Sequence, residues 1–91
     1  MKISVAMTTY NGEDFIVPQM DSIRCQTMAP DEVIIVDDCS NDRTIELVED
    51  YINRYNLYNW KIILNTENIG WRKNFRKALF STTGDIIFLA D

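Results

Sequence analysis

The chain has 91 residues, 46% of them hydrophobic and 25% charged, which is enough for one small domain with a core. Its net charge of −5 argues against a nucleic-acid partner, which would require a basic surface. The lack of histidine removes a usual member of zinc sites and of Ser-His-Asp or Cys-His catalytic groups. A metal bound here would therefore be a hard ion held by carboxylates and phosphates.

Cysteine content and hydropathy bear on the compartment. Cys25 and Cys39 are expected to be free thiols, because no secretory signal is visible and two cysteines do not make a disulfide framework. No apolar run approaches the ~18 residues of a membrane span. The sequence therefore predicts a cytoplasmic protein, with the inner face of the membrane as a second expected location.

Apolar runs and turn signals predict strands that alternate with helices. The predicted strands cover residues 2–7, 33–36, 60–64 and 85–90. The predicted helices cover residues 13–26, a segment from Asn41 or Asp42 to Tyr55, and residues 71–81, with Gly84 as the stop after the last helix. This alternation implies an α/β fold with three layers, α/β/α, and a mostly parallel, Rossmann-like sheet. On the last helix, Trp71, Phe75, Ala78 and Leu79 are expected to form the apolar face.

Polar loops follow the first two predicted strands, at residues 8–12 and 37–40. The carboxyl ends of parallel strands can converge on one crevice, where ligands bind. Thr8 and Thr9 offer hydroxyls, Tyr10 offers a flat face, and Asp38 offers a hydrogen-bond acceptor, which together suit a base and a ribose. Asp91, after the last predicted strand, could face phosphates through a divalent cation. Either Asp37 or Asp38 could contact the base, because adjacent residues of an extended chain point in opposite directions.

Simpler interpretations stay open for each of these features. The aspartate pair could cap the following helix. The basic cluster on the last helix could be a solvated face; it consists of Arg72, Lys73, Arg76 and Lys77. Trp71 and Phe75 are expected in the core rather than in a binding site. The sequence contains neither GxGxxG after the first strand nor GxxxxGK[ST], which excludes a dinucleotide-binding turn and a P-loop.

Four collinear segments carry a resemblance to a known family. They are residues 5–12 (VAMTTYNG), 30–44 (PDEVIIVDDCSNDRT), 68–70 (NIG) and 84–91 (GDIIFLAD). Residues 19–23 with Gln26 and Thr27 lie between the first two segments and match as well. Together these segments resemble the start of family 2 glycosyltransferases, and the resemblance covers the whole chain.

The resemblance implies a GT-A fold, a nucleotide-diphosphate sugar donor (a UDP- or dTDP-sugar) and a divalent cation, Mg²⁺ or Mn²⁺. It places Thr8, Thr9 and Tyr10 along the base. It makes Asp38 the carboxylate that contacts the base, with Asp37 in the same pocket. Asp91 resembles the first aspartate of the DxD motif, near the ribose and the metal-bound diphosphate, and is the one expected metal ligand.

Two departures from the family pattern affect these expectations. Thr8 stands where many members have proline. Asn74, Phe75 and Arg76 stand where many members carry Ala-Arg-Asn, whose arginine approaches the nucleotide. Arg72 or Lys73 is the candidate for that role, and Lys73 is counted among the expected nucleotide-sugar-binding residues. The Asn-x-Gly-x-x-x-Asn-Phe pattern from Asn68 is similar to the rhamnosyltransferase-like branch, whose donor is typically a dTDP-sugar.

The resemblance also suggests that residues 1–91 are a single truncated nucleotide-sugar-binding domain. The catalytic base of an inverting enzyme and the half that binds a saccharide or lipid-linked acceptor would lie elsewhere, so the chain alone is expected to be inactive. The implied process is polysaccharide or cell-wall biosynthesis. A nucleotidyltransferase-like domain and a non-catalytic interaction domain are the alternatives. An unpaired edge of the sheet would favour a homodimer.

Overall fold

The computed structural model describes residues 1–90. Strands and helices alternate through these residues, as predicted. The strands are β1 (Ile3–Thr9), β2 (Glu32–Asp37), β3 (Trp60–Leu64) and β4 (Ile86–Ala90). The helices are α1 (Ile16–Arg24), α2 (Thr44–Arg54) and α3 (Trp71–Ser81).

The four strands form one parallel sheet in the order β3-β2-β1-β4. The central strand β2 is buried along its whole length, which fits its nearly continuous apolar sequence. Because β2 and β1 lie side by side in register, with Thr9 opposite Asp37, their carboxyl ends finish at the same level. The loops that follow both strands therefore begin next to each other.

The helices cover the two faces of the sheet unequally. On one face, Met20 of α1 and Val48 of α2 pack with Val33 and Ile35 in the larger core cluster. On the other face, Ala78 of α3 packs in a smaller cluster whose buried members include Ala6, Ile34 and Val36 of the central strands. These two clusters confirm the predicted α/β/α layers.

The start of α2 differs slightly from its prediction. The helix begins at Thr44, and Asp42 accepts a 3.0 Å hydrogen bond from the Thr44 N–H. The Glu13 N–H donates to the same carboxylate at 3.2 Å, so Asp42 also fixes the loop that leads into α1. Burial alone would raise the pKa of Asp42, but the hydrogen bond from the Thr44 hydroxyl, together with those from the Thr44 and Glu13 N–H groups, outweighs it and lowers the pKa.

The prediction that Gly84 serves as the stop after α3 is wrong. The residue after α3 is Thr82, whose backbone is extended, and Gly84 lies two residues further on. A Cβ atom added to Gly84 would lie 2.3 Å from Ser4 Oγ and 2.9 Å from Ser4 N. Glycine is thus required there because the chain passes very close to β1 before β4 begins.

The predicted apolar face of α3 was also partly wrong. Ala78 is buried as expected, but Trp71 is 69% exposed and Leu79 is 37% exposed. The second buried residue of the helix is Asn74, which is 1% exposed. A hydrophobic pattern cannot identify such a position, because a polar side chain is buried only where partners elsewhere in the fold satisfy it.

Candidate functional site

The loops after β1 and β2 are joined by direct hydrogen bonds. The Asn11 N–H donates to Ser40 Oγ at 2.8 Å, and the Asn41 N–H donates to Asn11 Oδ1 at 2.9 Å. The Gly12 N–H donates to Thr44 Oγ1 at 2.9 Å. Asn11 has a φ of 48°, a left-handed conformation that asparagine tolerates better than most residues. The two strand ends therefore converge, as the sequence predicted.

Asp37 holds this junction together. Its Oδ1 accepts hydrogen bonds from Thr9 Oγ1 and Ser40 Oγ, both at 2.6 Å, and its Oδ2 accepts one from the Ser40 N–H at 2.8 Å. The residue is 2% exposed. Its carboxylate thus connects the end of β1 to the loop after β2.

Asp38 connects a different pair of loops. Its Oδ1 accepts hydrogen bonds from the Ile69 N–H at 2.8 Å and from Asn65 Nδ2 at 3.1 Å, and its Oδ2 accepts one from the Gly70 N–H at 3.0 Å. Asn68 Nδ2 donates to the Asp38 backbone oxygen at 3.3 Å. The carboxylate of Asp38 therefore holds the loop after β3 against the end of β2.

The loop after β3 belongs to the site although it was not predicted to be part of it. It brings Asn65, Asn68 and Gly70 to the same edge of the sheet as Asp38. Gly70 has a φ of 90°, which favours glycine at this turn into α3. A signal was available: a third predicted parallel strand ends just before Asn65, and its carboxyl end must lie at the same edge of the sheet.

Residues of these loops and of α3 line a half-open cavity of about 330 Å³ at the carboxyl ends of β1 and β2, which we call the strand-end cavity. Its lining residues are Thr8, Thr9, Tyr10, Asp38, Asn68, Gly70, Trp71 and Asn74. Tyr10 is 54% exposed and Trp71 is 69% exposed, so both rings present surface to a ligand. The expectation that Trp71 lies in the core is wrong, because the tight turn at Gly70 places it at the cavity instead.

The expected site residues are distributed unevenly around the strand-end cavity. Thr8, Thr9, Tyr10 and Asp38 line it. Asp37 is not among the lining residues and lies in the junction of the β1 and β2 loops. Lys73 is exposed on the first turn of α3, also outside the lining.

The basic cluster on α3 divides into two parts. Arg72, Lys73 and Arg76 are exposed, and the guanidinium of Arg72 lies 5.1 Å from the centre of the Trp71 ring. Lys77 is exposed as well, but its Nζ also donates a 2.6 Å hydrogen bond to Asn65 Oδ1, beside Asp38. A solvated face therefore describes all four residues, and Lys77 alone among them also donates to the residues around Asp38 in the described part of the chain.

The expected metal ligand, Asp91, lies outside the described residues. Within residues 1–90, no group of three or more His, Cys, Asp or Glu side chains is placed to hold a metal ion. The carboxylates of Asp37 and Asp38 are instead occupied by hydrogen bonds from the protein. The described residues therefore do not form a metal site by themselves. Cys25 and Cys39 are free thiols, as predicted.

The sequence profile of the family described as glycosyl transferase family 2 matches residues 4–91. The chain belongs to this family. The fold of this family 2 chain agrees with solved glycosyltransferases, including a mannosyltransferase from Pyrobaculum calidifontis in complex with GDP-Man and Mn²⁺. That structure matches 94% of the chain and 26% of its own length, with 28% identity and a TM-score of 0.85. The predicted GT-A-type fold is confirmed.

Two relatives have informative names. The poly(ribitol-phosphate) beta-N-acetylglucosaminyltransferase TarS of Staphylococcus aureus is 36% identical over the whole chain, which covers 16% of TarS. The crystal structure of TarS 1–349 in complex with UDP-GlcNAc matches 98% of the chain and 26% of that structure, with a TM-score of 0.83 and 35% identity. The O-antigen chain rhamnosyltransferase RfbN of Salmonella typhimurium is 34% identical over 98% of the chain and 27% of RfbN.

The family 2 chain is much shorter than these relatives, of which it covers 16% to 27%. Within residues 1–90, no helix is long and apolar enough to cross a membrane.

Proposed function

We propose that this chain is the nucleotide-sugar-binding part of an inverting glycosyltransferase. The whole enzyme would transfer a sugar from a nucleotide-diphosphate sugar to a saccharide or lipid-linked acceptor in polysaccharide or cell-wall biosynthesis. Membership of family 2 supports sugar transfer, and the names of TarS and RfbN support an acceptor that belongs to a cell-surface polymer. The inverting outcome rests on the resemblance of the sequence motifs, and we place the enzyme in the cytoplasm or at the inner face of the membrane.

The observation that carries this proposal is the composition of the strand-end cavity. Its aromatic residues, Tyr10 and Trp71, suit stacking against a base, and the carboxylate of Asp38 suits a base N–H. A carboxylate has about four lone-pair positions, and protein donors use three of them in Asp38. One acceptor position is therefore left for a ligand. Thr8 and Thr9 line the cavity as well, and the Thr9 hydroxyl donates to Asp37.

Asp37 and Lys73 would act at a greater distance from the base. We assign Asp37 the task of holding the Thr9 wall of the cavity in place, in keeping with its hydrogen bonds to Thr9 and Ser40. Lys73 lies on the first turn of α3, two residues after Trp71, and its exposed ammonium group would attract the diphosphate of the donor. Arg72 is the second candidate for this electrostatic role.

A divalent cation, Mg²⁺ or Mn²⁺, is part of the proposal, with Asp91 as its ligand from this chain. Such an ion would neutralise the charge that develops on the leaving nucleoside diphosphate. The complex of the Pyrobaculum mannosyltransferase with Mn²⁺ supports the use of a divalent cation. Because residues 1–90 lack a cluster of metal ligands, the ligands other than Asp91 would come from the donor diphosphate and from residues of the whole enzyme outside this chain.

The donor base is assigned to the pyrimidine class. The solved complex of TarS with UDP-GlcNAc favours a UDP-sugar. The similarity to RfbN keeps a dTDP-sugar as the alternative donor. A non-catalytic interaction domain is the second candidate function, and the exposed side chains of β4 favour it, because they leave an apolar edge open to a partner.

Calorimetric titration tests the proposal directly. UDP and dTDP are titrated, each with and without Mn²⁺, into the 91-residue chain and into its Asp38→Ala and Asp14→Ala variants. Asp14 is an exposed carboxylate outside the strand-end cavity, so its variant controls for the change in charge. We expect the wild-type chain and the Asp14→Ala variant to bind UDP, and the Asp38→Ala variant to bind it more weakly. Absence of binding to all three proteins would contradict the assignment of this cavity.

Sugar transfer itself is expected only from a longer protein. The chain corresponds to 16% of the length of TarS and 27% of that of RfbN. Turnover of UDP-GlcNAc by the 91-residue chain alone would show that this expectation is wrong.

A further inference from the structure

A largely buried chain of hydrogen bonds connects α3 to Asp38. Lys77 Nζ donates to Asn65 Oδ1 at 2.6 Å. Asn65 Nδ2 then donates to Asp38 Oδ1 at 3.1 Å and to Asn74 Oδ1 at 2.8 Å. Asn74 Nδ2 completes the chain by donating to the backbone oxygen of Val36 at 2.9 Å.

The donors and acceptors in this series of hydrogen bonds can be arranged in only one way. A lysine ammonium group donates and cannot accept, so it selects the oxygen end of the Asn65 amide. The NH₂ group of Asn65 must then face Asp38 and Asn74, both of which supply acceptors. Asn65 is 8% exposed and Asn74 is 1% exposed, so a flipped amide would leave buried polar groups unpaired.

Lys77 and Asn74 are well placed for this arrangement because they lie three residues apart on α3. Residues at this spacing share one face of a helix, and here that face meets Asn65 at the end of β3. Two contacts from one rigid helix therefore orient a single side-chain amide. The amide is in turn the only side chain among the described residues that donates to the Asp38 carboxylate.

The remaining donors to Asp38 are backbone groups. Oδ1 receives the Asn65 amide and the Ile69 N–H, whereas Oδ2 receives only the Gly70 N–H. The unused acceptor position therefore belongs to Oδ2, on a residue that lines the strand-end cavity. We propose that Lys77 and Asn65 are positioning residues that hold the Asp38 carboxylate with Oδ2 available to the imide N–H of a bound base. This inference rests on the proposed function, since it concerns the same cavity.

A positioning role differs measurably from a merely structural one. Uracil carries a donor at N3, whereas cytosine carries an acceptor there, so an oriented carboxylate should discriminate between UDP and CDP. Loss of that orientation weakens UDP selectively and lowers the ratio of the CDP to the UDP dissociation constant. General loosening of the fold would weaken both nucleotides equally and leave the ratio unchanged.

The test uses Lys77→Met, which removes the donor, and Lys77→Arg, which restores one. Lys61→Met is the matched control, because Lys61 is an exposed lysine on β3 outside the strand-end cavity. We expect Lys77→Met to weaken UDP roughly tenfold with a lower CDP/UDP ratio, Lys77→Arg to recover most of the affinity, and Lys61→Met to match the wild type. An unchanged ratio in Lys77→Met would overturn the inference.

Two further results separate this inference from the proposed function. A wild-type chain that fails to prefer UDP over CDP would overturn both, whereas a clear preference that survives Lys77→Met would overturn only the role of Lys77. Hydrogen exchange of the Ile69 and Gly70 amides, measured without nucleotide, gives an independent readout. We expect faster exchange in Lys77→Met than in Lys61→Met, and equal rates would contradict the proposed positioning.

Discussion

The carboxylates of Asp37 and Asp38 are adjacent in sequence but belong to different hydrogen-bond networks. Asp37 accepts hydrogen bonds from Thr9 and Ser40, whereas Asp38 accepts them from Asn65 and the backbone of the loop after β3. The separation arises because adjacent residues of an extended chain point to opposite sides. Only Asp38 lines the strand-end cavity.

Trp71→Ala tests the aromatic wall of this cavity. Stacking of a base on an aromatic ring is worth about 1 to 3 kcal/mol, so we expect the affinity for UDP to fall roughly tenfold. The free energy of unfolding should change little, because Trp71 is 69% exposed. Phe80→Ala on the same helix is the control, since Phe80 is 83% exposed and lies outside the cavity lining. Titration calorimetry and urea denaturation measure the two effects, and equal losses of UDP affinity in both variants would argue against stacking on Trp71.

Gly84→Ala tests the close approach of the chain to β1. The new Cβ would lie 2.9 Å from the Ser4 backbone nitrogen, and Ser4 Oγ is held by a 2.7 Å hydrogen bond to Glu32. We expect the free energy of unfolding to fall by about 1 to 3 kcal/mol. Gly12→Ala should cost much less, because nothing lies within 4 Å of a Cβ at that position. Urea denaturation gives the free energy of unfolding of both variants, and equal values would contradict the close approach of residue 84 to Ser4.

Glu32 should make the fold sensitive to acid. Burial alone would raise its pKa, but hydrogen bonds from Ser4 and Thr83 outweigh it and lower the pKa below the ordinary value of 4.5. A carboxyl with a lowered pKa stabilises the folded state fully above pH 4.5, and this contribution is lost as the pH falls through the folded-state pKa. We expect Glu32→Gln to be less stable at neutral pH but to lose less stability on acidification. Denaturant titrations from pH 7 to about pH 3 measure the free energy of unfolding of the wild type and of Glu32→Gln. If the two free energies fall in parallel with pH, Glu32 does not contribute to the acid sensitivity.

Tyr51 should make the fold sensitive to alkali. Burial and the 2.7 Å hydrogen bond to Asp21 raise the pKa of Tyr51 from 10.0 to about 12. Because the folded-state pKa is raised, protonated Tyr51 contributes fully to the free energy of unfolding below pH 10. This contribution is lost as the pH rises through 12. The full loss should amount to about 3 kcal/mol, since each tenfold change in a proton-binding constant corresponds to about 1.4 kcal/mol. Tyr51→Phe should lack this loss, and an equally steep decline of its unfolding free energy above pH 10 would assign the effect to other groups.

The outer edge of β4 is expected to mediate self-association. Within the described residues β4 pairs only with β1, and Ile86, Ile87, Phe88 and Leu89 are 39% to 58% exposed. Such an apolar edge strand favours pairing with a second copy. We expect the sedimentation coefficient to rise with protein concentration, and Phe88→Lys to suppress the rise. Tyr58→Lys, at an exposed aromatic residue that precedes β3 at the opposite edge of the sheet, should behave like the wild type. A wild-type coefficient that stays at the monomer value would rule this dimer out.

The sequence by itself determined the order of the elements and the edge at which the loops meet. Periodicity identifies strands and helices locally, and alternation of the two implies parallel strands with their carboxyl ends together. The β3 and α3 boundaries agree with the structure, and the loops around Thr9 and Asp38 converge as predicted. The family followed from the same local segments.

Only the tertiary structure decided which side chains face the cavity and which serve the fold. Asn65 and Asn74 are buried because Lys77, Asp38 and Val36 satisfy them, and these partners come from different elements. Burial of a polar group depends on partners distant in sequence, so no local pattern reveals it. The exposure of Trp71, the role of Gly84 beside Ser4 and the separate networks of the aspartate pair have the same cause: each is set by contacts between elements rather than by the residues' own neighbours in the chain.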